Sequence, residues 1–355
     1  MRVVIGVAGT AKNTGKTTTL LAITKFFHSK GKNIFLTSIG YDGEDFDNIT
    51  GLPKPRIFVP AGAMAASALS LLESSDAEFK DLKYTGVNCA LGPVFVGIAG
   101  TSGKVVLAGP TNAADLVSVI DFSPENSAVL LDGAFSRLSP MVAADSLVLA
   151  TGAARNEDPR KVAREINAIY RVMSLPEVPH QNCGDQAVAV GGEVLRISGG
   201  LFLPGQGRKM LRDLDLSRTY KVLHVEGIVN PSVFLEVLDA LGVSKHTLSE
   251  SRSPVLFVFD HPIMLLLSGN VILWERVLDQ ISRMGFGVCV RKSINFLGVT
   301  INPYTLSQLE NGKYEAGQVE PREFLDEVRK HTQAPCTDIV LEGPHILYSW
   351  LETLM

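Results

Sequence analysis

The chain has 355 residues, of which 46% are hydrophobic and 20% are charged. At roughly 100–200 residues per domain, this length predicts two domains with sizeable cores. The formal net charge of −4 argues against a nucleic-acid-binding surface as the main function. No apolar run approaches the ~20 residues of a membrane span. We therefore expect partners other than nucleic acids and membranes.

The four cysteines are scattered and have no Cys-x-x-Cys spacing; they are Cys89, Cys183, Cys289 and Cys336. Such spacing predicts neither a zinc site nor a disulfide framework. The chain also enters an apolar run directly after Met1 and Arg2, without the segments of a secretory leader. A reducing cytoplasm is therefore the expected location.

A glycine-bounded loop between two apolar segments is the first motif in the chain. Residues 2–8 predict a buried strand, residues 17–28 predict a helix, and the loop between them ends in Gly15-Lys16-Thr17. This order is typical of a phosphate-binding loop, in which backbone N–H groups and a helix N-terminus hold anionic oxygens. We expect Lys16 to neutralise the β- and γ-phosphates and the Thr17 hydroxyl to bind Mg²⁺.

The loop departs from the common pattern at one position. That pattern has a glycine where this chain has Thr10, and the glycine here is Gly9. In this respect the loop resembles those of dethiobiotin synthetase and the cobyrinic acid amidases more than the Ras-type loop. The residues predicted to contact the nucleotide are Gly9, Thr10, Lys12, Asn13, Thr14, Gly15, Lys16, Thr17 and Thr18.

Lys12 has two interpretations. Partition ATPases carry a second lysine that reaches a dimer partner's nucleotide, at the position held here by Ala11. Because Lys12 comes one residue later, it is either a nucleotide contact or a solvated loop lysine. The assembly of this chain as a homodimer is accordingly left open.

Asp132 follows a second apolar run, at residues 128–131. Ligands of parallel sheets bind at the carboxyl ends of the strands, so we expect Asp132 and Lys16 to face the same space. The predicted role of Asp132 is to hold Mg²⁺, directly or through water. The alternative is a residue that caps the next turn.

An acidic segment at residues 41–47 follows the strand predicted at residues 33–39. We expect Asp42, ahead of Glu44, to orient Mg²⁺ or the attacking water, or to belong to a switch ordered by the γ-phosphate. A solvated acidic turn is the alternative. Lys16 and Asp42 are therefore the predicted catalytic residues.

Three weaker features complete the candidate sites. Lys54 and Arg56 flank Pro55 and are either contacts for phosphate or carboxylate, or a solvated pair. His224 and Glu226 share one face of a predicted strand and form either a site or a surface pair. His261, beside Asp260, carries the same ambiguity. The absence of an Asn-Lys-x-Asp sequence favours ATP over GTP.

Short Val, Ile and Leu strands alternate with helices over residues 1–178, which predicts a mostly parallel sheet covered on both faces. This is the expected α/β P-loop nucleotide-binding domain. Residues 175–184 predict a linker. Residues 185–355 predict a second, smaller α/β domain that faces a partner or substrate, with its last strand at residues 296–301. Within the first domain, residues 92–99 and 104–108 predict a hairpin.

The chain resembles the KamB-type P-loop subunits of the lysine aminomutase reactivase. The segments that carry this resemblance are residues 9–19, 37–44, 54–59, 131–137, 150–154 and 174–178. The resemblance implies an ATPase with Mg²⁺ that takes part in amino acid degradation, by reactivating an adenosylcobalamin-dependent aminomutase together with a second ATPase subunit. It is weaker after residue 180.

Two other classes remain open. Dethiobiotin synthetase and the cobyrinic acid amidases use a similar loop to phosphorylate a carboxylate or carbamate, and Lys54 and Arg56 are then candidates to hold the substrate. Cys183 and Cys289 lack the context of the amidase nucleophile. The other class is a nucleotide-gated interaction module, such as a metallochaperone or a partition ATPase. The sequence shows no Cys/His cluster for metal delivery, and Ala11 stands where partitioning would call for a lysine.

Overall fold

The computed structural model describes residues 1–40, 57–178, 193–197, 201, 203, 205–206, 220–243, 256–308 and 314–355. These residues form two compact units. One comprises Met1–Ala163 and Asn295–Met355, and the other comprises Arg164–Ile294.

The strands are β1 (Val3–Gly9), β2 (Asn33–Ser38), β3 (Ile57–Val59), β4 (Met64–Ala68), β5 (Phe79–Cys89), β6 (Gly92–Ala99), β7 (Gly103–Val105), β8 (Ser127–Ala134), β9 (Ser146–Gly152), β10 (Glu193–Ile197), β11 (Tyr220–Val225), β12 (Leu256–Phe259), β13 (Gly287–Val290), β14 (Asn295–Asn302), β15 (Tyr304–Gln308), β16 (Tyr314–Gln318) and β17 (Cys336–Thr337). The helices are α1 (Lys16–Ser29), α2 (Leu69–Glu73), α3 (Ala113–Ile120), α4 (Pro159–Met173), α5 (Pro231–Val243), α6 (Pro262–Leu266), α7 (Leu273–Arg283), α8 (Pro321–His331) and α9 (His345–Glu352).

A nine-stranded sheet forms the first unit, in the order β17-β14-β9-β1-β8-β2-β4-β6-β5. The strands from β17 to β4 are parallel, and β6 and β5 add an antiparallel edge. The central strands are buried Val, Ile and Leu runs, because both faces of a parallel sheet are covered. The predicted α/β fold with a mostly parallel sheet is confirmed.

Helix α1 covers one face of this sheet with an apolar stripe. Leu20, Ile23 and Phe27 are fully buried, and they belong to one core cluster with Ile5 and Leu130 of the central strands. Burial of each such side chain contributes about 1.5–3 kcal/mol. This packing fixes α1 directly behind the loop that follows β1.

The boundaries of the two units differ from the predicted domains 1–178 and 185–355. Strand β14 belongs to the first unit because it pairs in parallel with β9, with Thr300 opposite Ala150. Its Thr300 hydroxyl lies 2.7 Å from that of Thr19 in α1. A Cβ on Gly298 would lie 2.7 Å from the Trp350 ring, so α9 also packs closely on this strand. The predicted strand at 296–301 therefore exists but extends the nine-stranded sheet of the first unit.

The predicted hairpin of residues 92–99 and 104–108 is wrong. Strand β6 pairs with β4 and β5, whereas β7 pairs with β3. The Ala99 N–H donates to Ala63 O at 2.8 Å, which continues the pairing toward β4 at the end of β6. The turn at residues 101–102 therefore connects two different sheets.

The second unit contains a four-stranded parallel sheet in the order β10-β11-β12-β13. Its aromatic core joins Phe234 of α5, Trp274 of α7 and Phe257 and Phe259 of β12. The Trp274 indole N–H donates to Leu265 O at 2.6 Å, which satisfies its polar atom inside the core. No helix in the described parts of either unit is long and apolar enough to cross a membrane.

Candidate nucleotide-binding site

The loop after β1 is held by contacts with the neighbouring strand and within itself. Thr10 N–H donates to Ala150 O at 3.0 Å, and the Thr10 hydroxyl donates to that of Thr151 at 2.7 Å. The Thr14 hydroxyl donates to Ala11 O at 3.0 Å. These bonds hold the start of the loop against β9 and close a turn within it.

The shift of the first glycine from position 10 to position 9 has a physical explanation. A Cβ on Gly9 would lie 3.0 Å from Thr14 Oγ1 and 3.4 Å from Lys16 Cδ. A side chain at position 9 would therefore crowd the Thr14 hydroxyl and the Lys16 stem. The side chain at position 10, in contrast, has a hydroxyl partner in Thr151.

The N-terminus of α1 is open to an anion. Gly15 is the N-cap residue with φ 82°, no side chain caps the helix, and its first turn contains no acidic residue. The first N–H groups of a helix lack intrahelical partners and carry a partial positive charge. An uncapped 14-residue helix behind a glycine loop is an arrangement that binds phosphate groups.

Lys16 and Asp132 lie together at the carboxyl edge of the parallel sheet. Lys16 Nζ is 3.1 Å from Asp132 Oδ1, and the two side chains are 26% and 18% exposed. Asp132 is opposite Val7 of β1 and Ser38 of β2 in the strand register. The expected juxtaposition is therefore present, while the roles of the two residues remain predictions.

These groups open onto a cavity of about 780 Å³, a volume typical of small-molecule sites. All nine residues predicted to contact the nucleotide line it: Gly9, Thr10, Lys12, Asn13, Thr14, Gly15, Lys16, Thr17 and Thr18. Its charged lining residues, among those that the structure describes, are Lys12, Lys16, Arg137 and Asp132. Three cations and one anion favour an anionic ligand.

The donor set is compatible with a Mg²⁺ ion that is shared with phosphates. No group of three or more His, Cys, Asp or Glu residues with metal-binding geometry occurs in the described ranges. Mg²⁺ is usually held by one or two carboxylates together with substrate phosphates. Thr17 and Asp132, both lining the cavity, supply one hydroxyl and one carboxylate of this kind.

Asn302 is a site residue that sequence reasoning missed. Its side-chain N–H donates to Asn13 O at 2.7 Å, and Asn13 has a positive φ of 61°. Asn302 Cβ lies 3.4 Å from the position of a Cβ on Gly15. Tyr304, two residues later, also lines the cavity. In the sequence, the only signal for this role was that a polar residue, Asn302, directly follows the strand predicted at 296–301.

Several predicted residues lie outside the described part of the chain. They are Asp42, Glu44, Lys54 and Arg56. Gly40 and Ile57 are the nearest described residues on either side of them, and both line the cavity. The roles assigned to these four residues stay predictions.

His224 and Asp260 form a second polar cluster, in the other unit. His224 Nε2 lies 2.9 Å from Asp260 Oδ1, and Gly227 N–H donates to Asp260 Oδ2 at 2.8 Å. Burial opposes ionisation of Asp260, but the bonds to His224 and Gly227 outweigh it, so the Asp260 pKa lies below its usual value. Glu226 lies 3.9 Å from His224 Nδ1. His224 is buried, so this is not an exposed surface pair.

His261 is buried at the start of α6, where its Nδ1 accepts the Ile263 N–H at 3.1 Å. Its Nε2 is buried and has no hydrogen-bond partner among the described residues. Burial, assisted by Lys292, lowers the His261 pKa to about 4. The ring is therefore a neutral helix cap.

Comparisons with known proteins give limited information. No family model and no curated protein matches the chain. Among solved structures, it is similar to the MinC:MinD cell division protein complex of Aquifex aeolicus, with 12% identity, a TM-score of 0.27 and coverage of 99% of this chain and 96% of that chain. It is also similar to the structure of pnob8 ParA, with 14% identity, a TM-score of 0.28 and coverage of 72% and 76%.

TM-scores this low carry no argument about fold or function. The fold assignment therefore depends on the chain's own features, which are the parallel sheet, the loop between β1 and α1, and Asp132 at the end of the adjacent strand β8. Together they describe an α/β P-loop NTPase domain.

Proposed function

We propose that this protein is a Mg-ATP-binding P-loop ATPase. The observation that carries the proposal is the approach of Lys16 Nζ to Asp132 Oδ1, 3.1 Å apart, beside the uncapped N-terminus of α1. Lys16 would neutralise the β- and γ-phosphates, while Thr17 and Asp132 would hold Mg²⁺. Bound Mg²⁺ would offset the charge of the phosphate oxygens.

The orientation of the nucleotide follows from the sheet order. Asp132 lies near the end of β8 on one side of β1, and Asn302 ends β14 on the other side. Because the metal carboxylate belongs beside the β- and γ-phosphates, the base belongs near Asn302 and Tyr304. An aromatic ring and an amide there are suitable for stacking and for hydrogen bonding to adenine.

The finer proposal is a subunit of the reactivating system of an adenosylcobalamin-dependent lysine aminomutase or a related enzyme. The segment resemblance supports it. Such enzymes accumulate damaged cobalamin in a closed site, and its removal requires opening of the protein. Nucleotide binding can bias a two-state element when the two states differ in affinity for the nucleotide. In this proposal Asp42 responds to the γ-phosphate, and a second ATPase subunit participates.

The test is a pull-down with an inactivated, cobalamin-loaded lysine aminomutase. Wild-type protein is expected to retain the mutase in a manner that depends on Mg-ATP, and Lys16→Ala is expected to lose that dependence. Lys25→Ala, an exposed position on the same helix, is the matched control. Absence of retention by a wild-type protein that binds Mg-ATP would contradict the aminomutase role but leave the ATPase proposal intact.

A carboxylate-activating ligase is the second candidate. Its supporting observation is the apolar part of the cavity lining, formed by Ile57, Val106 and Leu107. Phosphates do not require such a wall, but the aliphatic body of an acceptor substrate would pack on it. A burst of ATP turnover on addition of a dicarboxylate or diamine, without any mutase, would favour this class.

A further inference from the structure

We propose that Ser38 is a positioning residue of the magnesium site, whose hydroxyl oxygen accepts a hydrogen bond from a Mg²⁺-bound water. This inference rests on the proposed Mg-ATP-binding function of the same cavity. It adds an acceptor for the water around the metal to Thr17 and Asp132, which hold Mg²⁺ in that proposal.

Ser38 lies beside Asp132 on one face of the nine-stranded sheet. It ends β2 and is opposite Asp132 of β8 in the parallel register. Two positions earlier in these strands, Leu36 and Leu130 belong to the core cluster that also contains Leu20 of α1. Because side chains alternate between the two faces along a strand, Ser38 and Asp132 share the face that α1 covers. Adjacent strands are about 4.8 Å apart, so the hydroxyl and the carboxylate are neighbours.

The Ser38 hydroxyl has capacity left only as an acceptor. Ser38 is buried and lines the cavity, and its hydroxyl donates its proton to Gly40 O at 3.1 Å. Within the part of the chain that the structure describes, no group donates a hydrogen bond to this oxygen. A serine oxygen has two acceptor lone pairs. A water molecule bound to a cation can donate to it, whereas the oxygens of an ionised phosphate can only accept.

The backbone at Ser38 is fixed by two neighbouring segments. Ile39 N–H donates to Asp132 O at 2.8 Å, which joins the ends of β2 and β8 directly. A Cβ on Gly109 would clash with Ser38 O, so a glycine at this position lets the two backbones pack against each other. These contacts limit the positions that the Ser38 oxygen can occupy beside Asp132.

The chemistry of Mg²⁺ gives such an acceptor a purpose. Mg²⁺ keeps several waters when it is bound by one or two carboxylates and by substrate phosphates. Groups that hydrogen-bond to the ligands of a metal orient them and raise the affinity for the metal. Asp132 supplies negative charge and Ser38 supplies a fixed neutral acceptor beside it. Loss of the Ser38 oxygen should therefore weaken metal binding without weakening the contacts of the protein with the phosphates.

The experiment measures the dissociation constant of ATP by calorimetry for the full-length chain, at a series of Mg²⁺ concentrations and in EDTA. Ser38→Ala is expected to raise the Mg²⁺ concentration for half-maximal affinity about fivefold, the effect of one hydrogen bond. ATP affinity in EDTA is expected to stay within about twofold of wild type. Ser123→Ala is the control, because Ser123 is another buried serine whose hydroxyl donates to a backbone oxygen, at 2.7 Å, and it does not belong to the cavity lining.

Ser38→Cys decides the question if Ser38→Ala does not fold, because it nearly keeps the size of the side chain but has a weak acceptor. It is also expected to raise the Mg²⁺ requirement while ATP affinity in EDTA is retained. An equal loss of ATP affinity with and without Mg²⁺, or an unchanged Mg²⁺ requirement, would overturn the proposal for Ser38 alone. If the wild-type protein binds no ATP at any Mg²⁺ concentration, the proposed function itself fails and this inference fails with it.

Discussion

At the residue scale, the described part of the site contains few charged side chains. Lys16 and Asp132 are each about one-quarter exposed or less, and they lie 3.1 Å apart. The helix behind them has neither a side-chain cap nor an acidic first turn. Among the described residues, the site therefore combines a positive helix end, Lys16 and the Asp132 carboxylate.

Removal of the Asp132 charge should change the Mg²⁺ dependence of nucleotide binding. Asp132→Asn is expected to raise the Mg²⁺ concentration for half-maximal ATP affinity on the order of tenfold, because metal affinity follows the number of charged ligands. The measurement is a Mg²⁺ titration at fixed ATP. Asp121→Asn, at an exposed carboxylate paired with Arg2, is the control. An unchanged Mg²⁺ dependence in Asp132→Asn would show that the metal assignment is wrong.

His261 should make stability depend on pH. Its pKa is about 4 in the folded protein, against about 6.5 when unfolded. Since the unfolded state binds the proton more tightly, acidification lowers the free energy of unfolding. The stability that the neutral His261 ring contributes is complete above pH 6.5 and declines as the pH falls toward 4. Between pH 7 and 5 we expect a loss of about 2 kcal/mol in the free energy of unfolding.

Urea unfolding at the two pH values measures this loss. His261→Asn keeps a side-chain acceptor for the Ile263 N–H but has no titrating ring. The variant should therefore lose less stability than wild type over the same interval. Equal losses in the two proteins would remove His261 as the cause.

At the element scale, the phosphate loop is shaped by strands on both sides of it. Strand β9 binds Thr10 through Ala150 O and the Thr151 hydroxyl, and strand β14 contributes the Asn302 bond to Asn13 O. The sequence predicted β1, α1, β8 and β9 because their apolar patterns are local. It did not predict the Asn302 contact, because that bond joins residues 289 positions apart.

Loss of the Asn302 bond should loosen the loop without selectivity between nucleotides. Asn302→Ala removes one hydrogen bond, which is worth about 1 kcal/mol, so we expect roughly fivefold weaker binding of both Mg-ATP and Mg-ADP. Calorimetric titration measures it, with Asn295→Ala at the exposed start of the same strand as the control. Unchanged affinity for both nucleotides would mean that the loop holds its shape without β14.

At the scale of the whole molecule, the first unit is assembled from two distant parts of the chain, Met1–Ala163 and Asn295–Met355. The alternation of strands and helices predicted the α/β class correctly. The partner of each strand was not predictable from it, because parallel neighbours are joined by long crossovers. The strand at 296–301 was therefore recognised as a strand but assigned to the wrong sheet.

This arrangement predicts that residues 1–178 do not form an independent domain. Such a fragment lacks β14, β17 and α9, and it exposes the β9 edge and the α1 surface that packs near Leu347 and Leu351. We expect broad, non-cooperative thermal unfolding and no saturable Mg-ATP binding by this fragment. The intact chain is the reference. A sharp unfolding transition with nucleotide binding in the fragment would contradict the described division.

The most direct test of the central claim is a calorimetric titration of the full-length protein with Mg-ATP. We predict saturable binding that requires Mg²⁺, a loss of affinity of about tenfold or more in Lys16→Ala, and no change in Lys25→Ala. Binding by Lys16→Ala that is as tight as that of the wild type, or no binding by the wild type at all, would contradict the assignment of this loop as a nucleotide site.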